Sequence, residues 1–236
     1  MLQACLNGDR PRGAHPALPV TPQELAADAA AVAELGVTAL HVHPRDAAGL
    51  EVLAGPEVAT VVSVIRAAVP GLEIGVTTGA WIQPDPVRRA ELVAGWAGLA
   101  AGRPDTASVN VHEDGWREVC AALHRVGIGI ELGVFHLQAA RTLRANGFPP
   151  GSVRVLAEVQ PGDSPEPLLA ALSWSDRPIL LHGQDDDAWP VLAEAVRLGL
   201  STRIGLEDSL RRPDGTPALG NADLVEAAYR EMLRTG

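Results

Sequence analysis

The sequence predicts an α/β fold, a TIM (β/α)8 barrel occupying residues 1–236 as a single domain. Three observations predict it. Eight short apolar runs alternate with eight longer amphipathic segments, the order a repeated βα unit requires. The length of 236 residues suits one such barrel. No G-x-G-x-x-G follows the first run, which argues against the rival doubly wound sheet.

The first strand is QACLN (3–7), followed by TPQELAADAAAVAELG (21–36). That helix opens on Thr21 as N-cap, Pro22 in the first helical position and Glu24 closing a capping box, and Gly36 stops it. The second unit pairs ALHVH (39–43) with GPEVATVVSVIRAAVPG (55–71), and Pro44 ends its strand. The third pairs EIGVTT (73–78) with PDPVRRAELVAGWAGL (84–99). TASVNV (106–111) and DGWREVCAALHRVG (114–127) follow, then GIGIEL (127–132) and VFHLQAARTLRANG (134–147). VRVLAEV (153–159) precedes SPEPLLAALSW (164–174), and PILLHG (178–183) precedes DAWPVLAEAVRLG (187–199). The acidic run Asp185–Asp187 is expected to cap that seventh helix. TRIGLE (202–207) and NADLVEAAYREMLRTG (221–236) complete the set. Linkers rich in Ser or Gly and low-complexity tracts are absent from the sequence.

Composition narrows the partners. Hydrophobic residues make up 47%, enough for a sizeable core. A net charge of −10 argues against nucleic acid and anionic membranes, and an aromatic content of 3% leaves little to stack bases on. Cys5 and Cys120 cannot build a disulfide framework and fit a reducing cytoplasm. The N-terminus reads as lacking a signal peptide, and no apolar run reaches membrane-span length.

The strand ends are polar, where this fold carries its chemistry. His41 and His43 lie two apart on one strand, so they share a face, and two imidazoles on one face can grip a metal ion. A divalent ion so held wants a further ligand, and Glu207 and Asp208 at the end of the eighth strand offer two carboxylates. Either one completes the site, leaving the other as a base. Arg203, four before Glu207 on an extended strand, faces the same way and needs a carboxylate or an anionic substrate. His182 at the end of the seventh strand is a rival ligand. Thr77 and Asn110 are polar contacts at strand ends, with Glu131, Glu158 and Gln160 in the same band, while His112 reads as solvent-facing. Cys5 reads as barrel interior and Cys120 as core.

ACLNGDR, HPALPVTPQELAADAAAVAELGVTALHVHPRDAAG, GVTTGAW, ASVN and RIGLEDSL followed by PDGTPALGNADLVEAA together resemble the β-keto acid cleavage enzymes, the 3-keto-5-aminohexanoate cleavage protein family. The resemblance runs from the first strand to the last helix, and the chain is shorter between residues 148 and 203 than it implies. It implies a TIM barrel with a zinc-type divalent metal. It also implies an acyltransferase that turns a β-keto acid and acetyl-CoA into acetoacetate and a new acyl-CoA by Claisen and retro-Claisen steps, and a homo-oligomer. Carried over by motif, His41, His43 and Glu207 are the metal ligands, and Asp208 is the acid/base residue with Arg203 beside it. Thr77 holds the substrate carboxylate and Asn110 sits near the reacting carbons. Arg10 falls where the substrate's far end is selected and would suit an anionic or neutral tail.

The chemistry expected is that the metal polarises the ketone of a chelating β-keto acid while a carboxylate forms the enolate of acetyl-CoA, which attacks that ketone. Two other readings remain: a metal-dependent aldolase or epimerase on the same site, separated by its independence of acetyl-CoA, and a non-catalytic metabolite-binding barrel.

Overall fold

Eight parallel strands form a nearly closed barrel in the computed structural model, which describes residues 1–235. They are β1 (Leu2–Cys5), β2 (Ala39–Val42), β3 (Glu73–Thr77), β4 (Thr106–Asn110), β5 (Gly129–Val134), β6 (Ser152–Val159), β7 (Ile179–Gly183) and β8 (Thr202–Ile204). Consecutive strands are neighbours from β1 to β7, and β8 pairs with β1. A bridge between Leu180 and Ser201, with the Leu181 N–H donating to the Ser201 carbonyl at 2.9 Å, joins β7 to β8. The helices are α1 (Pro22–Glu34), α2 (Gly55–Ala68), α3 (Pro86–Ala94), α4 (Trp116–Val126), α5 (Leu137–Asn146), α6 (Pro165–Leu172), α7 (Ala188–Arg197) and α8 (Asn221–Thr235). The capping box forms as expected: the Glu24 N–H donates to the Thr21 hydroxyl at 3.2 Å and the Thr21 N–H to the Glu24 carboxylate at 2.8 Å.

Strand alternation sorts the side chains by chemistry. Leu40, Val42, Ile74, Val76, Val109, Leu132, Val155 and Ile204 belong to the hydrophobic core shared with the helices. The alternate positions face the barrel axis and many are polar: Gln3, His41, Thr77, Thr106, Glu131, Arg154, His182 and Arg203 are all buried, with Leu156 and Leu180 on the same inward face. So the apolar core is the ring between sheet and helices, and the barrel interior is a largely polar column.

The lower part of that column is an ion cluster. Glu131, fully buried, forms an ion pair with Arg154, whose Nε lies 2.8 Å away, and accepts from Gln3 Nε2 at 3.2 Å. Arg154 also pairs with Glu73. Glu131 therefore belongs to the floor of the barrel and not to the band of functional strand ends.

Several boundaries differ from expectation. β8 stops at Ile204 instead of continuing to Glu207, because Gly205 turns the chain against β1: a Cβ there would lie 1.9 Å from the Cys5 carbonyl oxygen. The N–H groups of Asp208 and Ser209 both return to the Gly205 carbonyl at 2.9 Å, and Asn221 Oδ1 accepts from the Leu206 N–H at 2.8 Å. β1 likewise ends at Cys5, and the third helix gives way to a 3-10 turn over Gly95–Gly98. The acidic run does not cap α7 through a side chain. It forms a 3-10 turn instead, in which Asp185 binds Arg10. His136 caps α5, its Nδ1 accepting from the Ala139 N–H at 3.1 Å.

Candidate active site

The segment His41-Val-His-Pro-Arg-Asp builds one side of the site. His41 and His43 enter the barrel from the same face of the chain, with their Nε2 atoms 3.2 Å apart. Asn7, past the end of β1, holds His43 by its backbone: the His43 N–H donates to Asn7 Oδ1, and Asn7 Nδ2 donates to the His43 carbonyl, both at 2.9 Å. Arg45 is buried and clamps the loop after β1, donating to the carbonyls of Gly8 at 2.8 Å and Arg10 at 2.7 Å. Asp46 makes the turn that brings the chain back, accepting from the Ala48 and Leu50 N–H groups at 2.9 Å. Glu51 then lies opposite Arg45. Its Oε1 is 2.5 Å from His43 Nδ1, and its Oε2 accepts from the Trp81 indole at 3.1 Å. Trp81 stacks on the His43 ring, with centroids 6.2 Å apart.

The turn after β8 supplies the other side. Glu207 Oε2 is buried, has no hydrogen-bond partner, and lies 3.8 Å from His43 Nε2. One ligand atom from each of His41, His43 and Glu207 lies within 4.8 Å of the others. A tetrahedral divalent ion with ligand distances of about 2.0–2.2 Å sets ligand atoms roughly 3.3–3.6 Å apart, so these three residues fit one. Imidazole and carboxylate ligands with Glu51 behind a ring nitrogen make the donor set of a zinc-type site. His182 is not part of this group.

Arg203 bridges the two carboxylates. Its Nη2 lies 2.9 Å from Glu207 Oε1 and 2.9 Å from Asp208 Oδ1. Burial alone would raise the Glu207 carboxyl, but Arg203, His41 and His43 overturn that and hold it low, in the ligand form. Burial raises Asp208, and its neighbour Glu207 raises it further against the pull of Arg203. Burial pushes His41 down to about 3, which keeps the imidazole neutral.

These groups open into a cavity of about 180 Å³ at the C-terminal mouth of the barrel, which Thr77, Ser108, Asn110, Glu158, His182 and Arg203 also line. The Thr77 hydroxyl accepts from the Gly79 N–H at 3.2 Å. Asn110 Nδ2 donates to Glu113 at 2.9 Å, and Glu113 lies 3.8 Å from the buried Arg89. Asp208 is fully buried and does not line the cavity. Neither does Arg10: it donates to the carbonyls of Leu206 at 3.1 Å and Glu207 at 3.2 Å, and its Nη2 pairs with Asp185 at 2.5 Å. The cavity reaches Asp9 in its place. His112 is exposed, as expected, and Cys120 is buried in α4, where burial drives its thiol up to about 12. A larger groove of about 850 Å³ runs over α3 and α4, away from these residues.

Sequence reasoning named the residues of the His41, His43 and Glu207 cluster and did not single out Glu51, Trp81 and Asp9. Glu51 had one legible signal, the Asp46–Gly49 turn that folds the chain back toward the histidines.

A family model for the beta-keto acid cleavage enzyme matches residues 1–236. Among solved structures, a ternary complex of ObcA with a C4-CoA adduct and oxalate aligns at a TM-score of 0.68 and 17% identity, over 93% of this chain and 64% of ObcA. A type I 3-dehydroquinate dehydratase from Clostridium difficile aligns at 0.66 and 12% identity, over 99% of this chain and 92% of its own. A 3-hexulose-6-phosphate synthase from Salmonella typhimurium aligns at 0.61 and 14% identity, over 100% and 99%. At these identities the likeness speaks for the barrel alone. The chain spans less than two thirds of the length of ObcA. No curated protein matches it.

Proposed function

The chain belongs to the beta-keto acid cleavage enzyme family, and from that premise we propose that it converts a β-keto acid and acetyl-CoA into acetoacetate and a new acyl-CoA. The observation that carries the reading is the convergence of His41 Nε2, His43 Nε2 and the unpartnered Glu207 Oε2 at the mouth of the barrel. These three residues would hold a zinc-type divalent ion, which supplies Lewis acidity toward a chelating β-keto acid. ObcA, in its complex with a C4-CoA adduct, supports the view that this kind of barrel accommodates a CoA adduct.

The carbons of acetoacetate fix the nucleophile. Two come from the acetyl group and two from the methylene and carboxylate of the substrate. The bond that forms therefore joins the substrate's methylene carbon to the thioester carbonyl. This corrects the expectation of an acetyl-CoA enolate attacking the ketone, an addition that releases no acetoacetate. A base takes a methylene proton, and the carbanion attacks the thioester carbonyl. CoA thiolate leaves and adds to the substrate's original ketone. The bond from that carbon to the methylene then breaks, giving acyl-CoA and the acetoacetate carbanion, which takes the proton back.

The chain's own groups divide this work. Asp208 is the acid/base carboxylate. Arg203 balances Asp208 and Glu207 and presents positive charge where oxyanions form. Thr77 holds the substrate carboxylate, and Asn110, fixed by Glu113, stands beside the reacting carbons. Arg10 braces the carbonyls of Leu206 and Glu207.

The test is a panel of β-keto acids incubated with purified, zinc-loaded protein, with and without acetyl-CoA. Acetoacetate formed only when acetyl-CoA is present supports the reading. Cleavage that ignores acetyl-CoA makes the protein a metal-dependent aldolase instead.

A further inference from the structure

The turn after β8 is held from two sides. Its N–H groups bond within the fold: Leu206 donates to Asn221 Oδ1 at 2.8 Å, Glu207 to the Cys5 carbonyl at 3.2 Å and Asp208 to the Gly205 carbonyl at 2.9 Å. Its carbonyls go to one ion pair. Arg10 Nε donates to the carbonyls of Leu206 at 3.1 Å and Glu207 at 3.2 Å, and the Asp185 N–H donates to that of Asp208 at 2.6 Å. Arg10 Nη2 meets Asp185 Oδ1 at 2.5 Å. Three consecutive carbonyls, on the segment that carries Glu207 and Asp208, thus rest on two residues from the loops after β1 and β7. Stability does not account for the pair. The Asp185 side chain is 66% exposed, and an ion pair that open to water adds little to folding. Asp185 also carries strain: at φ +49° it is the one non-glycine residue of positive φ among the described residues. Such strain persists where the surrounding structure imposes it, and it clusters at functional sites. The 3-10 turn that begins at Asp185 is pinned at its far end, where Asp187 Oδ2 accepts from the Gly162 N–H at 2.9 Å.

Resting on the function proposed above, we propose that Asp185 is a positioning residue that acts through Arg10 to set the place of the Glu207 ligand. Asp185 itself does not line the cavity. Nε and Nη2 lie on one edge of the planar guanidinium, so a carboxylate that takes Nη2 aims Nε at the turn. Without that carboxylate the long Arg10 side chain regains its rotamers and leaves the Leu206 and Glu207 carbonyls to water. Glu207 Oε2 stands 3.8 Å from His43 Nε2, a separation set by where the turn sits. The left-handed backbone lets Asp185 grip the turn twice. Its N–H points at the Asp208 carbonyl while its carboxylate reaches Arg10. Removing the side chain alone takes away the second grip and keeps the first.

The test sets zinc affinity, read by competition with a chromogenic chelator, against the urea midpoint of the zinc-free protein. Asp185→Gly should weaken zinc binding about 10-fold. Its urea midpoint should hold or rise, because glycine accepts the left-handed backbone without strain. A purely structural role moves the two readings down together. Asp185→Asn, which tolerates this backbone and keeps an oxygen for Arg10, should bind zinc as the wild type does. The double variant Arg10→Ala/Asp185→Gly should bind zinc no more weakly than Arg10→Ala alone, since the two residues act as one unit. Wild-type affinity in Asp185→Gly overturns the proposal, and so do losses that add in the double variant or that follow a lowered urea midpoint. If the wild-type protein binds zinc no better than His41→Ala does, the proposed function fails first and this inference with it.

Discussion

Glu51 Oε1 lies 2.5 Å from His43 Nδ1, so one ring nitrogen is engaged and Nε2 is left for the site. The carboxylate behind the imidazole fixes both its rotation and its tautomer. Glu51→Gln should therefore weaken zinc binding by about 10–100-fold, measured by competition with a chromogenic chelator. An unchanged affinity would reduce the contact to packing.

Gly8 lies at φ +55°, and a Cβ placed there would be 2.5 Å from Glu207 Cγ. Gly8→Ala meets both backbone strain and the side chain of a proposed ligand. It should cost more than about 1 kcal/mol of stability in urea unfolding and lower zinc occupancy as well. Loss of stability with zinc binding intact would detach Gly8 from the site.

Asp208 stands outside the His41, His43 and Glu207 cluster and beside Arg203. Asp208→Asn should keep zinc and lose turnover, on the order of 10²-fold or more. If zinc leaves with the activity, Asp208 is itself a ligand.

Arg10 braces the chain at Glu207 and does not line the cavity. Arg10→Ala should lower zinc affinity and leave the ratio of kcat/KM for amino-tailed and carboxyl-tailed β-keto acids unchanged. A shift in that ratio would return Arg10 to the role of selecting the substrate tail.

The Glu131–Arg154 pair is buried in the barrel floor. Arg154→Met leaves the fully buried Glu131 carboxylate without its ion-pair partner, and breaking such a pair costs about 3–5 kcal/mol. Urea unfolding of Arg154→Met measures it, and a loss below ~1 kcal/mol would show that Glu131 takes up a proton at little cost.

Much of this was legible in the sequence because it rests on local rules. Alternation put His41 and His43 on one face, and Thr21-Pro-Gln-Glu24 announced the start of α1. What was hidden depends on contacts across the chain. Arg203 meets Glu207 because Gly205 folds the chain against β1, not because a strand continues. Arg10 meets Asp185 across 175 residues, so no local pattern predicts whether it faces a substrate or a backbone. The same holds for Glu131, whose partners Gln3 and Arg154 sit on different strands.

The most direct test follows the acetyl group. Zinc-loaded protein is given a cleavable β-keto acid and acetyl-CoA labelled in both acetyl carbons, and the products are read by carbon NMR and mass spectrometry. The account predicts that both labels appear in the methyl and ketone carbons of acetoacetate, with none in the new acyl-CoA and one acyl-CoA formed per acetoacetate. Label in the acyl-CoA, or unlabelled acetoacetate, would contradict it.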